Sequence, residues 1–134
     1  MDTALKKECI MTIKSLYERL GSYDGISAFV NNLMDRVRQD NQLRRFWDHR
    51  GTDRLEKEKQ LLIDYLCNSA GGQMHYSGRD IKLSHQGMNI SESDWQLFLQ
   101  HAGATMNALD VPEQEQNDVS AFVSTLKDDI VEVA

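Results

Sequence analysis

The sequence predicts an all-α fold, and three features carry that expectation. Apolar residues recur every three or four positions, the period of one helical face, rather than every second position as along a half-buried strand. The stripes stop at glycines, Gly21 and Gly71-Gly72, and restart at cap-type residues such as Asp24 and Ser91, where backbone amides need a side-chain acceptor. The only proline, Pro112, falls where it suits the first turn of a helix. With 134 residues, 40% apolar and 27% charged, the chain fits one globular domain, read here as 1–134.

Each element follows from its stripe. Leu5, Cys9, Ile13, Leu16, Tyr17 and Leu20 make a first helix ending at Gly21. Asp24 is the expected cap of a second, with Ile26, Phe29, Val30, Leu33, Met34 and Val37 on one face. A short helical piece through Leu43, Phe46 and Trp47 stops before the polar turn His49-Arg50-Gly51. A longer helix runs from Thr52 to about Ala70, charged at first and apolar later, until Gly71-Gly72 ends it. Ser91, with Asp94 three residues on, opens a helix striped by Trp95, Phe98, Ala102, Met106 and Leu109. After Pro112 a last helix carries Val119, Phe122, Val123, Leu126, Ile130 and Val133.

Charge and composition exclude several classes of function. A formal charge of −6 argues against a binder of nucleic-acid phosphates, which rests on clustered Lys and Arg. No apolar run approaches the roughly 18 residues that would suggest a membrane span, so a cytoplasmic protein is expected. Cys9 and Cys67 form neither a disulfide framework nor a C-x-x-C metal pair, and read as buried or half-buried thiols on helices.

The stretch from Gly71 to Ile90 is punctuated by glycine and holds one short helical phrase, Arg79 to His85. Irregular connections this long in a compact domain usually serve a function. Within it Ile81, His85 and Met88 are four and three apart, which sets an imidazole on an apolar face. Such a histidine is either a satisfied core residue or a ligand, and spacing alone leaves both open.

The surrounding pattern goes further. Tyr76, Gly78-Arg79-Asp80, Ile81, His85-Gln86-Gly87 and Ile90 follow Phe46-Trp47 and Gly71-Gly72 in order. Ser15-Leu16-Tyr17-Glu18-Arg19-Leu20-Gly21, Asp35-Arg36-Val37, Asp40 and Val111-Pro112 extend the pattern over nearly the whole chain. In these motifs the chain resembles the group I truncated haemoglobins, short globins in which a two-over-two helical sandwich surrounds haem. The resemblance implies haem b as cofactor and His85 as the proximal iron ligand, its second ring nitrogen oriented by the Ile81 carbonyl. It also implies an apolar proximal wall of Ile81, Met88, Ile90, Trp95 and Phe98. Phe46 and Trp47 match the family's aromatic pair, and either ring could stack on the cofactor. Tyr76 and Arg79 either meet the propionates, the arginine as a bidentate fork, or are solvated.

The distal side departs from that family. Met34 stands where the relatives usually carry a tyrosine, and a thioether cannot donate a hydrogen bond to a bound ligand. Gly21-Ser22 replaces the usual Gly-Gly turn. The helix from Thr52 allows two inward faces, one of Leu55, Lys59, Leu62 and Leu66, the other of Glu56, Gln60, Ile63 and Cys67. The expectation set here is Gln60 in the pocket, with Lys59 as a candidate sixth iron ligand.

Three functional readings follow. The first is reversible binding of dioxygen, nitric oxide or carbon monoxide. The second is an enzyme that oxidises nitric oxide to nitrate and needs a reductase partner. The third is a cofactor-free helical interaction module in which His85 is structural, which a colourless purified protein would favour.

Overall fold

A computed structural model describes residues 15–48, 51–72 and 80–134. Its elements are α1 (Leu16–Arg19), α2 (Ser22–Gln39), a 3-10 turn (Leu43–Phe46), α3 (Thr52–Ser69), α4 (Ile81–His85), α5 (Glu92–Ala108), α6 (Glu113–Ser124) and α7 (Lys127–Ile130). Among the described residues there is no strand, only an isolated parallel bridge between Ser91 and Val133.

Three helix boundaries differ from the sequence reading, each for a local reason. Ser15 is extended (φ −61°, ψ 157°) and its hydroxyl accepts the Glu18 amide, so a helix starts at Leu16 and does not run continuously through Ser15. The part of the expected first helix before Ser15 lies outside the described residues. α2 begins at Ser22, not at a cap on Asp24, because Gly21 takes φ 95° and turns the chain there. The last helix ends at Ser124; a second short turn follows, and Val133 leaves helical geometry to bridge Ser91.

The turn between α1 and α2 is tight enough to dictate a residue type. A side chain on Gly25 would overlap the carbonyl oxygen of Leu20, so only glycine lets the two helices meet. Arg19 fastens the same corner to α6, reaching Asp118 at 2.7 Å and Glu115 at 3.2 Å.

α2 is the central element, burying residues toward two neighbours. Ile26, Val30 and Met34 meet Ile63 and Cys67 of α3. One turn round, Leu33 and Val37 meet Leu43 and Ala102 of α5. Val30, Val37 and Cys67 are fully buried. Burying such side chains is worth roughly 1.5–3 kcal/mol each, so these two seams fix where α3 and α5 lie and leave a space between them. At the start of α5, Ser91 and Asp94 form the expected capping box, each side chain accepting the other's backbone amide. No helix among the described residues is long and apolar enough to cross a membrane.

Candidate functional site

The space left by the two seams is a cavity of about 440 Å³, reached by residues of α2, the 3-10 turn and α3 to α7, with Leu20 from the end of α1. Its wall is apolar apart from Tyr65, His85, Asp94 and the tryptophan indoles. Met34, Phe46, Trp47, Ile81, His85, Met88, Ile90, Trp95 and Phe98, all singled out from sequence, line it together. Tyr76 and Arg79 lie outside the described residues, as do His49 and His75.

His85 closes α4, and its Nδ1 is 2.8 Å from the carbonyl oxygen of Ile81 one turn earlier. A carbonyl can only accept, so in the neutral ring Nδ1 carries the proton and Nε2 is left with a lone pair. A fixed tautomer with a free nitrogen is what an imidazole needs to serve as a metal ligand. An apolar chamber with such a nitrogen on its wall fits a flat, largely apolar, iron-bearing cofactor. Among the described residues no group of three or more His, Cys, Asp or Glu is placed to hold a metal ion by itself.

On one wall of the cavity Trp95 and Phe98 stack with centroids 6.1 Å apart. Phe46 and Trp47 meet edge to face at 6.0 Å and both reach the cavity. Trp47 also lines a surface depression with Asp35, Arg38, Gln39, Arg44, Asp48 and Leu55, so its indole is the partition between chamber and surface.

The position of Phe46 depends on a polar clamp that the sequence reading missed. Asp94, 1% exposed, takes Arg45 Nη2 at 2.6 Å and Nη1 at 3.0 Å, Gln42 Nε2 at 2.7 Å and the Ser91 amide at 2.9 Å. Burial pushes its carboxyl up, but hydrogen bonds from Arg45, Gln42 and Ser91 outweigh that and hold it well below the ordinary carboxylate range. The same Arg45 guanidinium lies 4.2 Å over the Phe46 ring. The sequence signal for Asp94 was only its cap spacing; nothing local marked Arg45 as its partner. Nearby, His101 Nε2 meets Asp40 at 2.7 Å, and that contact draws the Asp40 carboxyl down.

On α3, Leu62 and Leu66 line the cavity while Ile63 and Cys67 pack against α2. Gln60 does not face the pocket as expected: it is exposed, bonded through Nε2 to the Tyr23 hydroxyl at 3.0 Å and to Asp64 at 2.9 Å. The reason is apolar content, because turning Gln60 inward would turn Leu62 and Leu66 toward water. Ile63 is core rather than lining, and Leu55 borders the surface depression. Lys59, its side chain 13% exposed, has its ammonium 3.6 Å from Glu56. Burial pushes the Cys67 thiol up, so it stays an inert core group. The far wall comes from Val119, Val123, Leu126 and Ile130, which the sequence showed only as a core stripe.

Comparison with known proteins agrees with this geometry. The chain matches the model of the bacterial-like globin family over residues 15–132. A group 1 truncated haemoglobin of Tetrahymena pyriformis is 24% identical over 118 residues, covering 88% of this chain and 95% of that protein. The group 1 truncated haemoglobin GlbN of Mycolicibacterium paratuberculosis is 28% identical over 116 residues, 87% of this chain and 83% of the relative. The crystal structure of the Tetrahymena pyriformis protein in its Fe(III) form has a TM-score of 0.80 at 24% identity, covering 88% and 98% of the two chains. Haemoglobin from the phototroph Chloroflexus aurantiacus gives 0.77 at 22% identity over 89% and 98%. By its family match from residue 15 to 132 and its shared two-over-two arrangement, the chain belongs to the bacterial-like globins, with the fold of the truncated haemoglobins.

Proposed function

We propose that this globin binds haem b with His85 Nε2 as proximal iron ligand and reversibly takes a diatomic ligand, dioxygen, nitric oxide or carbon monoxide, on the Met34 side. The observation that carries the reading is the 2.8 Å contact between His85 Nδ1 and the Ile81 carbonyl at the wall of an apolar cavity. It supports a neutral imidazole with its donor side satisfied and its ligand side free. Non-covalent retention of the cofactor is favoured because Cys9 and Cys67 make no C-x-x-C-H attachment motif.

Haem, held by His85 and the apolar wall, would supply an iron able to take a diatomic molecule. The chain's part is to orient that histidine, keep water out and set the polarity around the open position. Met34, Leu62 and Leu66 offer apolar contact and no hydrogen-bond donor, and of the α3 residues lining the cavity Tyr65 alone carries one. That polarity favours carbon monoxide and nitric oxide, which bind well without a donor, and makes dioxygen release fast.

His85→Gly tests the assignment. The parent should show a strong Soret band with a histidine-ligated ferrous spectrum; the variant should lose that ligation and regain it with added imidazole. An unchanged spectrum in the variant without imidazole would refute the role of His85. Parent protein that stays colourless and cannot be titrated with haem would favour the interaction-module reading.

A further inference from the structure

Beyond the haem ligand itself, the residues after His85 are held by a part of the chain far from it in sequence. Gly87 (φ 85°) and Asn89 (φ 56°) are both in left-handed backbone, which turns their amides toward a common side. Both amides donate to one carboxylate: Gly87 N–H to Glu132 Oε2 at 3.1 Å, and Asn89 N–H to Glu132 Oε1 at 3.0 Å. The main chain reinforces the contact. The amides of Glu132 and Val133 donate to the Ile90 carbonyl at 2.8 and 3.2 Å, and the Glu92 amide donates to the Val133 carbonyl at 3.0 Å. Lys127 Nζ adds a bond to Glu92 at 2.8 Å.

The loop so gripped is short, and both its ends meet the chamber. The Met88 amide donates to the His85 carbonyl at 3.2 Å, and Met88 and Ile90 line the cavity beside His85. α4 has five residues and no side-chain cap, so it has little rigidity of its own. Asparagine tolerates φ 56° better than other side-chain-bearing residues, and the Glu132 carboxylate meets the amide that this turn presents.

We infer that Glu132 is a positioning residue for the proximal histidine, its carboxylate bridging the Gly87 and Asn89 amides and so limiting how far His85 can move. This rests on the proposed haem ligation. A restrained imidazole resists the motion that accompanies ligand uptake, so freeing it speeds uptake.

The test compares haem-loaded parent with Glu132→Ala and Glu132→Gln; the latter keeps one acceptor oxygen. In the carbon monoxide-bound form, amide exchange at Gly87 and Asn89 should accelerate at least tenfold in Glu132→Ala, a local opening energy on the scale of one lost hydrogen bond. In the ferrous ligand-free form, the iron–histidine stretching band should shift and broaden. Carbon monoxide should then combine about threefold faster, within the usual span of coupling between neighbouring networks. Glu132→Gln should fall between the two, and it carries the test alone if Glu132→Ala does not fold. Faster exchange with an unchanged band and rate would overturn the positioning role; unchanged exchange would overturn the contact. Loss of overall stability alone would leave the band in place and so also count against positioning. A parent protein lacking the iron–histidine band would overturn the haem ligation first, and this inference with it.

Discussion

Removing the Asp94 carboxylate tests whether the clamp between the 3-10 turn and α5 is structural capital or surface decoration. Asp94→Asn keeps the shape but replaces one acceptor oxygen with an amide donor. That donor must face either Arg45 Nη1 and Gln42 or Arg45 Nη2 and the Ser91 amide, so two of the four hydrogen bonds are lost in either orientation. Bonds to a charged group are worth roughly 1.5–3 kcal/mol each, but Arg45 is 47% exposed and recovers part of that from water. The capping contribution is worth about 1 kcal/mol. A net loss of about 3 kcal/mol results, or about 12 °C in Tm for a domain of this size, and urea unfolding of haem-loaded protein would measure it. The pH dependence gives a second check. The folded carboxyl titrates below its unfolded value, so its stabilisation is fully present above about pH 4 and fades as the pH falls further. The parent's advantage over Asp94→Asn should therefore shrink steadily as the pH falls from about 4 toward 2. A loss under 1 kcal/mol, or a gap unchanged through that acid range, would show that the clamp does not operate as described.

Three further outcomes follow from single positions. Gly25→Ala, which in an ordinary helix gains up to ~1 kcal/mol, should instead cost about 3 kcal/mol because the new methyl overlaps the Leu20 carbonyl; a stabilised variant in thermal unfolding would contradict the tight corner. Thr105, fully buried with no hydrogen-bond partner for its hydroxyl among the described residues, should accept Thr105→Val with a gain of about 1 kcal/mol, read from urea midpoints. Met34→Tyr adds a donor at the cavity wall and should slow dioxygen dissociation about tenfold, equivalent to roughly 1 to 1.5 kcal/mol; an unchanged or faster off-rate in stopped flow would mean that residue 34 does not face the ligand.

What the sequence made legible was whatever depends on near neighbours. The capping box of Ser91 and Asp94, the stop at Gly71-Gly72 and the orientation of His85 by Ile81 each join residues three or four apart, or mark a single backbone turn. The contacts that escaped it span the chain: Arg45 with Asp94 is 49 residues long and Glu132 with Asn89 is 43. Nothing in Leu43-Arg44-Arg45-Phe46 distinguishes the arginine that clamps Asp94 from the one that pairs with Asp48 on the surface. The helix start at Ser15 was hidden for the opposite reason. The apolar stripe continues through it, while the local serine cap resets the backbone.

Helix α3 shows why periodicity alone could not choose a face. α3 meets two apolar neighbours, α2 and the cavity, and the two sets of residues competing for the inward position sit side by side on its surface. Ile63 and Cys67 face α2, and Leu62 and Leu66, each one position earlier, face the cavity. Choosing one face as inward and the other as outward therefore poses the wrong alternative, since a helix wedged between core and chamber needs an apolar arc wide enough for both. The polar residues are sorted by the same geometry. Gln60 precedes Ile63 and Asp64 by one turn on the solvent edge of the α2 seam, where Tyr23 reaches it, whereas Lys59 precedes Leu62 and Leu66 on the cavity side and keeps its stem covered while its ammonium meets Glu56. A donor toward a bound ligand must then come from the cavity arc rather than from Gln60, and of the α3 residues on that arc Leu62 and Leu66 have none to give, which leaves the Tyr65 hydroxyl as the donor that α3 brings to the cavity wall.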